Sequence, residues 1–567
     1  MHDLVIRHGD LADGTGGPLQ RADVAVDGDR IVAVGAVADR GQEEIDASGL
    51  VVTPGFVDPH THYDGQATWD PLLTPSVWHG VTTVVTGNCG VGFAPAAPDR
   101  HEWLFGLMEG VEDIPGAALR EAITWDWESV ADYLDALDRL PRAIDVGAQV
   151  AHGAVRAYVM GERGAANEPA GDDDLARMAE IVRAGIAAGA VGFSTNRLPL
   201  HKAVDGREVP GTFADEAELF ALGRAVRRGS PRGEPVFSLI LPTASGYDPG
   251  AWTRELDWMA RLSTETGLRF TFAFGSLANL PSVERANAGG AHLVPQIGCR
   301  RQVLLLGLRT RHAFEGRPSY QAIAGLPVAE QARRMADPAL RSRILAEGQE
   351  PGWNRLAELV LGQADLVFPL EGPHQQEPHP ETSVAACAAR TGRPVDEILY
   401  DLAIADEGRG LVQYMFGGYP KGSLDDALTL MHEPATVLGL GDGGAHVSVI
   451  CDAGYPTFLL GYWVRERTRG ERLALQQAVH FLTSQPAGLY GMGDRGVVAP
   501  GKKADLNVID VDRVGLRWPD VVRDLPAGAK RVVQRADGYA ATVVSGQVVQ
   551  RDGEDTGARP GRVVRGR

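Results

Sequence analysis

Cysteine is scarce in this chain of 567 residues: Cys89, Cys299, Cys387 and Cys451 are scattered, with no paired spacing. That argues against a disulfide-stapled scaffold and for reduced thiols. Long apolar runs are missing too, and no stretch reaches membrane-spanning length. Met1 to Ile6 opens directly into strand-like sequence, without a charged segment followed by an apolar one, so no secretory leader is expected and a cytoplasmic location is. Positive charge is in deficit, since 55 Lys and Arg stand against 74 Asp and Glu, a net charge of −19. Such a balance repels nucleic acid and anionic lipid, so neither is an expected partner. The one locally basic run, Arg559 to Arg567, reads as a solvated end. Repeats and low-complexity tracts are absent as well.

What is present is an ordinary globular composition, 44% apolar and 23% charged, enough for a large core. The first 54 residues read as short strands (4–6, 23–26, 30–34) between Gly and Asp turns, and residues 486–567 return to the same pattern (505–510, 531–534, 541–546). Neither end alone can bury a sheet face, so a small β-sandwich built from both is expected. Between them, residues 55–485 alternate apolar strands with helical stretches, the pattern of βα units. Strands over 82–86, 144–150, 191–194, 236–241, 270–274, 293–296 and 436–440, with the strand that the apolar run 50–58 leads into and that ends at His60, make eight. The expected fold is therefore α/β, a (β/α)8 TIM barrel plus the sandwich. A helix-rich excursion at about 300–430 is placed to shape access to the barrel mouth.

The richest segment is Gly55-Phe56-Val57-Asp58-Pro59-His60-Thr61-His62. Side chains alternate along a strand, so His60 and His62 share a side and can grip one cation at a strand end. Barrel chemistry sits at strand C-termini, which draws attention to the residues just past each strand. Cys89 comes after the second strand and offers a thiolate ligand or a structural thiol. His152 comes after the third and can ligate, orient or polarise a carbonyl, or simply be a satisfied loop histidine. Asp442 and His446 come after the eighth, in Gly441-Asp442-Gly443-Gly444-Ala445-His446. A divalent cation, most simply one Zn2+, would bring the pKa of water to about 7. Asp442 would then take the water proton and pass it to a leaving nitrogen.

Together these residues resemble the amidohydrolase superfamily, in particular its N-acyl-D-amino-acid deacylase (D-aminoacylase) branch. The resemblance rests on Pro54 to Asp64, Gly87-Asn88-Cys89-Gly90, Met108-Glu109-Gly110-Val111-Glu112-Asp113-Ile114-Pro115, Gly192-Phe193-Ser194-Thr195 and Ala499 to Asp505. It implies a zinc centre involving His60, His62 and Cys89, a proton-shuttling Asp442, and hydrolysis of an amide-type bond in a small molecule. The branch also carries metal-binding histidines after strands five and six. Here those stretches read Leu241-Pro242-Thr243-Ala244-Ser245 and Phe274-Gly275-Ser276-Leu277-Ala278. That leaves His60, His62, Cys89 and Asp442 as the ligand set, with His446, Glu109, His152 and Cys451 as possible compensation. The Lys and Arg that would hold a substrate carboxylate are missing from the same stretches. Arg300 and Arg301 read either as a replacement contact or as solvated side chains. Two other readings stay open, a barrel retained for binding or scaffolding and a metal-dependent lyase or isomerase, and so does a homo-oligomer.

Overall fold

The computed structural model describes residues 1–242, 250–350, 354–373, 375–416, 419 and 421–566. Its centre is a run of eight parallel strands: β1 (Phe56–Asp58), β2 (Val81–Thr86), β3 (Asp145–Ala151), β4 (Gly192–Asn196), β5 (Val236–Ile240), β6 (Arg269–Ala273), β7 (Leu293–Ile297) and β8 (Val437–Leu438). Each pairs in parallel with its sequence neighbour from β1 through to β8. β2 and β3 are buried along their whole length. That explains why they read as continuous apolar and threonine runs rather than as alternating ones. Helices cover the outside, as where Asp172–Ala187 turns Met178, Val182 and Ile186 inward.

The circle closes just beyond the strands. Thr61 and Gly443 form a parallel bridge. The His62 N–H donates to the Gly443 carbonyl (2.7 Å), and the Asp442 N–H donates to the His60 carbonyl (3.0 Å). The expected barrel is thus present, joined at its C-terminal rim by the segments that carry the candidate residues.

The run 50–58 forms two strands. Val51–Pro54 belongs to the terminal sheet, and the chain passes through Gly55 before Phe56–Asp58 enters the barrel. The terminal sheet has nine strands drawn from both ends of the chain, with Val51–Pro54 flanked by His2–Leu11 and by Leu506–Ile509. Leu4, Ile6, Val24, Val26, Leu506, Val508 and Val543 share its core. Arg531–Val533, expected in this sheet, instead pairs with Asp520–Val522 in a separate ribbon. The basic tail is not a solvated end either: Val563–Val564 pairs in parallel with β3 at Val146 and Gly147. Between β7 and β8 the chain builds a three-stranded antiparallel sheet (Gln302–Leu306, Val367–Pro369, Val412–Phe416) among helices, with a core of its own.

Gly80 ties barrel to terminal sheet. Its carbonyl accepts from the Phe56 N–H (3.0 Å) and from Asn507 Nδ2 (2.8 Å). Its φ is +74°, and a Cβ there would lie 2.7 Å from Tyr539, 2.8 Å from Asn507 and 2.9 Å from Phe56. Gly80→Ala combines a left-handed backbone with overpacking and is expected to cost about 2–4 kcal/mol, read as a lower urea midpoint at unchanged slope.

Candidate metal centre

Three donor atoms, one each from His60, His62 and Cys89, lie within 4.8 Å of one another, all three residues buried. His60 Nε2 is 3.6 Å from Cys89 Sγ and 3.4 Å from Asp442 Oδ1, and His62 Nε2 is 3.9 Å from the same oxygen. Around a tetrahedral ion with bonds of about 2.0–2.3 Å, donors stand about 3.3–3.8 Å apart, so this spacing fits a single small cation.

Local folding explains why the four converge. His60 and His62 lie on one side of the chain leaving β1, with ring centroids 5.4 Å apart. Asn88 Nδ2 donates to the Thr61 and Val85 carbonyls (3.1 and 3.0 Å), pinning the turn that presents Cys89. Gly90 (φ +73°) must be glycine, because a Cβ would lie 2.6 Å from the Asn196 nitrogen. Cys89, Asp442 and His446 hold positive φ values of 54°, 47° and 48°. Such backbone is costly for residues with a side chain and concentrates where surrounding structure enforces a geometry.

The His60 nitrogen facing away from the cluster is engaged as a metal-ligating histidine requires. His60 Nδ1 donates to Gln296 Oε1 (3.1 Å), leaving Nε2 as the inward lone pair. His62 Nδ1 lies 3.2 Å from Glu112 Oε1, though neither atom has a well-aligned hydrogen bond. The electrostatics are lopsided. Burial lifts the Glu112 carboxyl well above the usual carboxylate range, with Asp442 and Asp64 adding to the effect. Burial likewise lifts the Cys89 thiol, reinforced by Glu112, Asp442 and Asp64. Asp64 is raised to about 6, chiefly by burial. Burial drives the His60 and His62 imidazoles the other way, towards the neutral form. Crowded carboxylates beside neutral imidazoles and a buried thiol lack positive charge, and a divalent cation would supply it.

The other expected residues lie elsewhere. His152, at the start of the helix His152–Met160, is fully buried, with Nδ1 2.8 Å from Thr195 Oγ1 and Nε2 2.8 Å from Glu218 Oε1. Arg156 clamps the same Glu218 carboxylate. Cys451 packs against Gln534 (3.6 Å). Arg300, expected as solvated or substrate-facing, is buried and ion-paired with Asp452. Arg301 is partly buried. His446 stands at the edge, its Nε2 3.8 Å from Glu112 Oε2. Leu241 and Pro242 come directly after β5, whereas Thr243, Ala244 and Ser245 lie outside the described residues. Phe274 after β6 packs against Trp252 (5.6 Å).

Glu112, not Glu109, is the carboxylate the helix His101–Glu112 delivers. The signal was present: Glu112 falls in register with the buried Leu104, Met108 and Val111, an acid on an apolar face. Gln296, Gln302, whose Nε2 donates to Asp442 Oδ2 (3.3 Å), and His201 were also missed. Asn196 Nδ2 lies 3.0 Å from His201 Nδ1. Burial, helped by His446 and His60, brings the His201 imidazole down to about 3.

A parallel barrel with a buried His-x-His, Cys and Asp cluster at its C-terminal rim defines a hydrolase of the amidohydrolase type. Known proteins agree: residues 43–550 match the amidohydrolase family, and the chain belongs to that family and is a hydrolase of carbon–nitrogen bonds other than peptide bonds. It is 27% identical over 573 residues to a D-aminoacylase of Alcaligenes xylosoxydans xylosoxydans, covering 99% of this chain and 97% of that one. A solved N-acyl-D-glutamate deacylase from Bordetella bronchiseptica, complexed with zinc and a phosphonate inhibitor, is 25% identical at a TM-score of 0.63, covering 100% of this chain and 99% of that one. A D-aminoacylase structure described as having a binuclear metal centre shares the fold at 23% identity and a TM-score of 0.64, covering 100% of both chains.

The His152–Glu218–Arg156 network makes an acid-stability prediction. Burial alone would raise the Glu218 carboxyl, but His152 and Arg156 outweigh it and hold it at about 2 against an ordinary 4.5. A depressed carboxylate contributes stability above its unfolded pKa and loses it as pH falls through the folded one. Glu218→Gln is expected to lose about 3 kcal/mol at neutral pH. Its denaturant-unfolding profile should also be flatter than wild type between about pH 4.5 and about 2.

Proposed function

We propose that this chain binds one divalent cation, most simply Zn2+, through His60, His62, Cys89 and Asp442, and hydrolyses an amide-type C–N bond of an N-acyl-D-amino acid. The observation that carries the reading is the buried convergence of those four side chains where β1, β2 and β8 end. The single ion, in place of a binuclear centre, accords with the missing histidines after β5 and β6. The substrate class rests on the names of the relatives.

When bound, such a cation acts as a Lewis acid towards a carbonyl and acidifies water. The protein's own groups do the rest. Asp442, steadied by Gln302 on Oδ2, accepts a proton from the attacking water as the new C–O bond forms. It returns that proton to the nitrogen as the C–N bond breaks, so one carboxylate serves as base and then acid. Glu112 orients the His62 ring through Nδ1, as Gln296 orients His60. His201, kept neutral by burial, presents Nε2–H at the rim and takes the carbonyl-polarising role first considered for His152.

Asp442→Asn is expected to abolish turnover while metal content by atomic emission stays near wild type, and unchanged kcat would remove the shuttle. His60→Ala and His62→Ala should each lose the metal. His201→Asn should keep it and lower kcat about 100-fold. Incubation of zinc-loaded protein with N-acetyl-D- and N-acetyl-L-amino acids in 18O-water tests substrate and reaction together: label is expected in the acetate released from the D-series. Cleavage of neither series would refute the substrate class, and unlabelled product would refute hydrolysis.

A further inference from the structure

A second polar site lies away from the metal centre, where the insertion between β7 and β8 meets the segment carrying the Asp520–Val522 and Arg531–Val533 ribbon. A cleft of about 810 Å³ opens there, and its wall carries Arg309, Arg311, Arg523 and Lys530 against a single carboxylate, Glu315. In a chain of net charge −19 such a concentration of cations is conspicuous. Two are already committed: Arg309 pairs with Asp520, and Arg311 with Glu315 (2.8 Å). Two are not. Lys530 Nζ donates only to the Arg309 and Thr310 carbonyls (3.1 and 3.2 Å), and Arg523 donates to the Gly528 carbonyl (3.3 Å). Neither forms an ion pair among the described residues. Burial lowers the Lys530 ammonium pKa; Glu315 and Asp113 nearby oppose that shift, and Arg523 and Arg311 add to it.

The independent observation is His312, 6% exposed and part of the same wall. The Phe314 N–H donates to its Nδ1 (3.2 Å), which makes Nδ1 the acceptor and puts the proton of the neutral ring on Nε2. Nε2 is buried without a hydrogen-bond partner. Burial holds the ring neutral, with its pKa at about 3, so Nε2–H remains a donor across the physiological range. The Tyr320 ring, edge-on at 4.5 Å, fixes its orientation. A buried donor left unmet is destabilising, and a ligand bringing an acceptor relieves it.

We propose that this cleft is a binding site for a small molecule bearing an oxyanion, a carboxylate or a phosphate, received by Lys530, Arg523 and the His312 Nε2–H. None of its lining residues belongs to the metal centre, and the volume suits a metabolite-sized ligand. Both anion types offer what the wall lacks, several acceptor oxygens on one negative group.

The test is calorimetric titration of the zinc-loaded full chain at low ionic strength, with inorganic phosphate in one series and succinate in another. One-site binding is expected with at least one of the two, and the tighter binder identifies the anion. Lys530→Met and Arg523→Gln should each weaken it at least about tenfold, the loss expected when a charged hydrogen-bond partner is removed. Arg523 is exposed, so its variant remains informative should Lys530→Met fail to fold. His60→Ala should bind as wild type does. The proposal is overturned by no binding of either anion up to about 10 mM, by binding that survives both substitutions, or by binding that disappears in His60→Ala and so belongs to the metal centre.

Discussion

The pairing of residues 60–62 with 442–443 is the contact on which the site depends. Two short backbone hydrogen bonds and one parallel bridge join the chain leaving β1 to the chain leaving β8. They close the barrel and, in the same act, set Asp442 beside two imidazoles that lie near the other end of the barrel sequence. A barrel that failed to close would still have eight strands and a core, but it would hold His60 and His62 without their carboxylate. The positive φ at Asp442 shows that the rim is held in a backbone state the residue would not choose alone.

Burial then does the chemical work. Water is kept from Glu112, Asp64, Asp58 and the Cys89 thiol, and each is pushed towards its neutral form as a result. Left so, the cluster is electrostatically unfavourable, because among the described residues the desolvation cost of several acids is not met by any ammonium or guanidinium in the cluster. The proposed cation answers that imbalance. It also explains why the engaged outer nitrogen of His60 matters, since its hydrogen bond to Gln296 leaves the lone pair on the inward Nε2. The basic cleft beside Lys530 is the mirror case, with unmet donors where the rim has unmet acceptors.

Much of this was legible in the order of residues alone. Eight apolar strands alternating with helical stretches announced a parallel barrel, and period-two alternation at His60 and His62 announced a shared direction. Cys89 and Asp442 stood out because each comes just after a strand, and that position is all that is needed to place a group at the rim. Glu112 was less visible. It comes from a helix rather than a strand end, and choosing it over Glu109 requires knowing which helix face meets the rim. His152 also comes directly after β3, and its two ring nitrogens are engaged by Thr195 and Glu218, both remote in sequence.

Local patterning by itself determined the element types, the fold class and the metal-ligand candidates, because periodicity and turn chemistry act over a few residues. Only the tertiary structure decided that the basic tail adds to β3 and that Arg300 lies buried against Asp452. It alone brought Gln302, at the start of the Gln302–Leu306 strand, onto Asp442. Each of those outcomes turns on a partner distant in sequence, and the free energy of a long-range contact depends on what fills the space opposite, which no short stretch of chain contains.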